Sequence, residues 1–318
     1  MSYVVFDMDE TIAHLSSAYY FIATLTATKP DKTNKTSTNV FLIEPLEPHL
    51  PTAYDYFVQR VLKEEKSDYP LGILRPGILD IMEALYLLKK KHLIHGVIIY
   101  SNNSHLESLY FIRDLIHVHY PRLILDCIHW LHPRRRVDRE QYHKSIGVIS
   151  KTWENLKDLM IHGLAKASPF IEPSEVHFFD DLNHVSLKRA LSKNYHQIHP
   201  YQFKASFDRI APLFLSSLAY AEVDLYALEK QIAPLYPDLQ NPIFIHYFHK
   251  GNTTMMEDIL DLFRYYINSD TINAVPPLDS ALPIAEIIAD LEHNAILHRD
   301  NKKKRMYTLK RKRRTIRR

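Results

Sequence analysis

One cysteine, Cys127, stands among 318 residues, so the chain cannot close an internal disulfide and has no thiol pair for the common structural zinc patterns. A small buried hydrophobe in a reducing compartment is the expected role for it. A run of about 20 apolar residues is also missing, which excludes a helix spanning a bilayer. The first apolar stretch begins at Tyr3 and leaves no room for a cleavable leader ahead of it, so an intracellular location, cytoplasmic or nuclear, is expected. Apolar material itself is not short. Hydrophobic residues make up 46% of the chain, enough for a large core without covalent staples.

The formal net charge of +3 hides a strong asymmetry. Lys302 to Arg318 holds 11 basic residues in 17, and the other 301 residues carry 29 basic against 37 acidic side chains, a balance of −8. A block of like charge repels itself, so 301–318 is expected to be a disordered tail that contacts a polyanion or an import receptor. The 19 histidines invite metal assignments. His129, His132 and His143 flank Arg134-Arg135-Arg136, but their spacing matches no structural zinc pattern, so a surface loop is preferred there. The arginine triplet is a candidate for contacting phosphate or acidic groups.

Chemistry-bearing residues recur after short apolar runs. Tyr3-Val4-Val5-Phe6 empties into Asp7-Met8-Asp9-Glu10-Thr11. Val97-Ile98-Ile99-Tyr100 empties into Ser101-Asn102-Asn103-Ser104, and Val176-His177-Phe178-Phe179 into Asp180-Asp181. Such runs read as buried strands, and in a parallel sheet their carboxyl ends share one active-site rim. Phosphoryl transfer needs a nucleophile in line with the leaving group, a hard cation and fixed donors around the equatorial oxygens. Asp7 could attack phosphorus, and Asp9 could protonate the leaving oxygen and then deprotonate water. Asp7 and Asp181, with Asp180 behind them, could hold Mg²⁺, a cation that needs only one or two carboxylates besides phosphate and water.

The segment Asp7-Met8-Asp9-Glu10-Thr11-Ile12-Ala13-His14 resembles the signature of the haloacid-dehalogenase-like (HAD) superfamily phosphatases. Within them it is similar to the subgroup acting on the RNA polymerase II carboxy-terminal domain and its NLI-interacting-factor-like relatives. Leu74-Arg75-Pro76-Gly77 resembles a second segment of that subgroup, and the likeness covers roughly residues 3 to 204. It implies a HAD-like Rossmannoid α/β fold, with a parallel sheet flanked by helices and a small insert after the first strand, about 15–70. It also implies an aspartyl-phosphate mechanism with Asp7 as nucleophile and Asp9 as acid/base and Mg²⁺ ligand. Thr11, Ser101 and Asn102 would then bind phosphate, Asp180 and Asp181 would complete the metal site, and a lysine would offset the carboxylates. Lys151 is the first choice for that lysine, with Lys144 and Lys157 as alternatives. Ser101, Asn102 and Asp181 depart from the subgroup's usual residues.

The resemblance implies a phosphoprotein substrate carrying phosphoserine or phosphothreonine. A nucleotide or nucleic-acid-end phosphatase of the same mechanism and an inactive scaffold on a phosphatase core are the alternatives. Along the chain, 29–39 is polar, Tyr54 to Leu62 reads as an amphipathic helix, and Ile78 to Leu88 reads as a helix opened by Pro76 and closed by Lys89-Lys90-Lys91. Ser104 is a candidate N-cap for a helix through Leu106, Leu109, Phe111 and Ile112. Thr152-Trp153 reads as another helix start, and Gln197-Ile198-His199 as a last short strand. From Phe207 onward the pattern is helical: Ile210 to Ala221, Val223 to Ile232, Met256 to Ile267 and Ile284 to Leu297. The region 205–300 is expected to be a helical extension without chemistry of its own.

Overall fold

Five strands form one sheet: β1 (Ser2–Phe6), β2 (Ile94–Tyr100), β3 (Ile124–Ile128), β4 (Val176–Asp180) and β5 (Tyr195–Gln197). Every pairing is parallel, in the order β3-β2-β1-β4-β5. The computed structural model describes residues 2–28, 44–102, 105–128, 151–163, 171–236, 255–269, 288–289 and 292–293. Ser104, Lys144, the 129–150 stretch with its histidines and arginines, the basic tail and all but four residues of the 284–297 helix lie outside them.

The described helices are α1 (Tyr19–Leu25), α2 (Leu50–Glu65), α3 (Ile78–Lys90), α4 (Leu106–His117), α5 (Trp153–Gly163), α6 (Val185–Leu191), α7 (Phe207–Tyr220), α8 (Leu225–Ile232) and α9 (Met255–Ser269). They cover both faces of the sheet. Successive strand residues point to opposite sides, so Val4 and Phe6 enter one core while Tyr3 and Val5 enter the other. The larger core takes α1 to α4 and the extension helices α7 to α9, where Phe21 packs against Phe207, Phe214 and Phe263. The smaller one takes α5 and α6 through Trp153, Leu156, Met160 and Leu187. A sheet buried on both faces by crossover helices is the α/β arrangement expected from alternating strand and helix patterns.

Two strands differ from the sequence reading, and helices α1 and α6 answer to no pattern singled out in it. β3 was not anticipated: it is a short edge strand whose exposed Leu125 and part-exposed Asp126 interrupt the apolar run. β5 starts two residues earlier than expected because Tyr195 pairs with Phe178 and stacks on its ring, whereas Ile198 already bonds to the carbonyl of Asp180 beyond the strand. Cys127 is buried in the larger core, and burial pushes its thiol up to about 12.

Candidate active site

The strand order reverses between β1 and β4, because the chain runs out through β2 and β3 and then returns on the other side of β1. Crevices at such a reversal, outside the carboxyl ends of the strands, are where open α/β sheets bind ligands. Asp7 follows β1, Asp180 ends β4, and Ser101 follows β2, so all three stand on that rim. The Asp7 amide continues the sheet by donating to the Phe179 carbonyl at 2.8 Å.

Lys151 reaches this rim from the start of α5. Its Nζ donates to Asp7 Oδ1 at 2.5 Å and to Asp180 Oδ2 at 2.9 Å, with only 2% of the residue exposed. The faces of Tyr100 and Phe178 lie 5.5 and 5.4 Å from the ammonium and shield it from water. Of the three candidate lysines, Lys157 lies part-exposed along α5 and Lys144 lies outside the described residues.

His184, not anticipated from sequence, sits behind this pair. Its Nδ1 accepts from the Lys151 amide at 3.2 Å, and since an amide can only donate, the ring proton must be on Nε2. That Nε2 faces Asp180 Oδ2 at 3.4 Å. Asp180 is fully buried and also accepts from the Leu182 amide at 2.8 Å. A single local signal could have drawn attention to His184: it lies four residues after Asp180.

Asp181 turns towards the first motif. Thr11 Oγ1 donates to Asp181 Oδ1 at 3.2 Å and accepts from the Asp181 amide at 3.1 Å. Thr11, expected among the phosphate-binding residues, is thus fully buried and joins the two acidic loops. On the other side, Ser101 Oγ donates to Asp9 Oδ2 at 3.3 Å, and Asn102 follows it, half-buried.

The loop from Met8 to His14 is tightly held. The Met8 carbonyl accepts from Ile12 and Ala13, and Glu10 takes a left-handed φ of 56°. Buried Arg75 secures that turn. Its Nε donates to the Thr11 carbonyl at 2.8 Å, and its Nη2 to the carbonyls of Glu10 and His199, each at 2.5 Å. The Tyr201 amide adds a bond to the Glu10 carbonyl at 2.7 Å, and the Arg75 guanidinium lies over the Tyr201 ring. Burial lowers Arg75 to about 10, still charged at neutral pH. The Arg-Pro segment that the sequence singled out therefore acts on the first motif through its backbone carbonyls.

Burial sets the electrostatics, and neighbouring charges modify it. Burial pushes the Asp7 carboxyl up to about 8, Lys151 opposing this while Asp180 and Asp9 add to it. Burial likewise raises Asp181, with Asp180 reinforcing it. Burial alone would raise Asp180 as well, but His184 and Lys151 outweigh it and hold that carboxyl below the ordinary range. Burial alone would lower the Lys151 ammonium, yet Asp7 and Asp180 hold it above its usual value.

No family model matches the chain, and no curated protein matches it. Among solved structures, a HAD-superfamily hydrolase from Ehrlichia chaffeensis is similar to 67% of this chain and 97% of its own, at 17% identity and a TM-score of 0.26. So loose a likeness carries neither fold nor chemistry, which rest on the sheet and the rim themselves.

The donor set suits a hard divalent cation. Among the described residues, Asp7, Asp180 and Asp181 can each offer one carboxylate oxygen within 4.8 Å of the others. With all three ionised, three carboxylates against one ammonium leave an excess of two negative charges for a cation to balance, and all the donors are oxygens, as Mg²⁺ prefers.

Proposed function

We propose that this protein is a Mg²⁺-dependent phosphomonoester hydrolase that works through an aspartyl-phosphate on Asp7. The observation that carries this reading is the buried Lys151 ammonium bridging Asp7 and Asp180 at the carboxyl ends of two adjacent parallel strands. A nucleophilic carboxylate attacking an anionic phosphate needs fixed positive charge beside it, and Lys151 supplies this without reorganisation. Mg²⁺, held by Asp7, Asp180 and Asp181, would neutralise charge on the phosphoryl oxygens.

In the first step an Asp7 carboxylate oxygen forms a bond to phosphorus while the bond to the leaving oxygen breaks. That oxygen keeps the electron pair and takes the proton of Asp9. In the second step Asp9, now a carboxylate, takes a proton from water as the water oxygen attacks phosphorus. Inorganic phosphate leaves and Asp7 is restored. Ser101, through its bond to Asp9 Oδ2, orients the acid/base, and Arg75 fixes the loop that carries both aspartates.

A phosphoserine or phosphothreonine protein and a nucleotide both present such an ester, and the space beyond Asp9 is where they would be told apart. The basic tail would add salt-dependent affinity for a polyanion. The first test is Mg²⁺-dependent release of phosphate from p-nitrophenyl phosphate. Asp7→Asn is expected to lower turnover by about 10³-fold or more, since it removes the nucleophile and keeps the shape. Turnover retained by that variant would refute the covalent mechanism.

A further inference from the structure

A cleft of about 410 Å³ opens at Asp9, within the size range of small-molecule sites. If Asp9 protonates the leaving oxygen, as proposed above, the leaving group must lie in the space beyond it. Two elements wall that space. One is α1, with Tyr19 and Tyr20. The other is α9, with Tyr266 and Ile267, from the extension beyond the part of the chain that carries the phosphatase resemblance.

The wall is aromatic along its length. His105 lies against Tyr19 with ring centres 4.2 Å apart, and Tyr19 meets Tyr20 edge-on at 5.2 Å. Tyr20 stacks on Tyr266 at 4.8 Å with planes 15° apart. Tyr19, Tyr20 and Tyr266 are half-buried and line the cleft; Tyr20 also stacks on Phe263 at 5.5 Å, so Tyr19 and Tyr266 are the rings that a ligand would meet. Glu10 and Lys204 both stand on the same cleft as His14, whose ring burial lowers, Lys204 adding to this and Glu10 opposing it. A leaving group that fits would carry a planar ring to stack on the tyrosines and tolerate, or use, a cation beside it.

We propose that this cleft is a nucleoside subsite, and that the substrate is a mononucleotide whose base packs against the α1–α9 tyrosine wall. The inference rests on the phosphohydrolase reading for its direction but not for its test. Phosphoserine's own side chain is short and aliphatic and brings no ring of its own to the tyrosines. A mononucleotide places a ring one sugar away from the phosphate. Base stacking on aromatic side chains is strong and sequence-tolerant, so a preference for nucleotides over sugar phosphates is expected without strong choice among the bases.

The test is equilibrium binding to Asp7→Asn in Mg²⁺, which leaves turnover out of the readout. AMP, UMP, ribose 5-phosphate and a phosphoserine peptide are titrated by calorimetry. AMP and UMP are expected to bind about tenfold or more tightly than ribose 5-phosphate, the scale of one base stack. In the same background Tyr266→Leu, which keeps apolar volume if Tyr266→Ala proves poorly folded, is expected to bring that ratio towards one. Equal binding of nucleotide and sugar phosphate, an unchanged ratio in a folded Tyr266 variant, or tightest binding by the phosphoserine peptide would each overturn the subsite. If the wild type binds AMP in this manner yet does not hydrolyse it, the hydrolase reading fails while the subsite stands.

Discussion

At the scale of single residues, the decisive contact is between Lys151 and two aspartates, and His184 is what places it. The His184 ring accepts the Lys151 amide and faces Asp180, so it fixes backbone and side chain on both sides of the charge pair. Replacing it with Phe would leave a buried amide without its acceptor, a loss of about 1–3 kcal/mol. His184→Phe is therefore expected to unfold at lower urea and to turn over phosphomonoesters more slowly. His184→Asn, whose carbonyl oxygen can still accept from the amide, should recover most of the stability. Equal urea midpoints for wild type and Phe variant would show that the Lys151 amide does not depend on this ring.

At the scale of elements, the loop from Met8 to His14 is held by segments distant in sequence. Gly72 shows how closely they approach. Its φ is +82°, and a Cβ there would come within 2.1 Å of the Phe203 ring, so Ala at this position would displace the strap that Tyr201 makes to the Gly72 carbonyl. Glu65, at the end of α2, holds the same strap. Its Oε1 accepts from the Ile73 amide at 2.8 Å, and burial pushes its carboxyl up to about 7, the backbone amides opposing this. A carboxyl raised from 4.5 towards 7 binds its proton more tightly in the folded than in the unfolded chain. Its stabilising effect is complete below about pH 4.5 and lost as pH rises through 7. Glu65→Gln keeps an acceptor and cannot ionise. The melting temperature of the wild type should therefore fall relative to the variant between pH 5 and 7.5. A gap that stays constant over that range would mean that Glu65 titrates normally.

For the whole molecule, the cluster of acids at the rim would couple folding to cation binding if it holds a cation as proposed. A ligand bound only by the folded state adds about 2.7 kcal/mol of stability at a hundredfold excess over its Kd. Mg²⁺ is expected to raise the melting temperature of the wild type, and Asp181→Asn to reduce the increment by removing one of the three donors. An increment of the same size in the variant would take Asp181 out of the metal site. The fold supports this coupling because the two acidic loops leave adjacent strands, β1 and β4, and are tied by Thr11. Among the described residues, no helix is long and apolar enough to cross a membrane, in keeping with the absence of long apolar runs.

Much of this design was legible in one dimension. Short apolar runs ending in Asp7, Ser101 and Asp180 gave strands and their polar carboxyl ends, because strand burial and loop chemistry are local patterns. The same local logic located α3, α4 and the three described extension helices to within a few residues. It put Lys151 first among three lysines but could not show its partners, since a lysine's surroundings depend on which loop the packed sheet brings to the rim. Nor could it find His184, whose partner is an amide 33 residues away. Tertiary structure alone decided that Tyr266, 257 positions from Asp9, would line the same cleft. The larger core fixes that placement by burying Phe263 of α9 against Phe21 of α1, which carries the neighbouring tyrosines to the active-site edge.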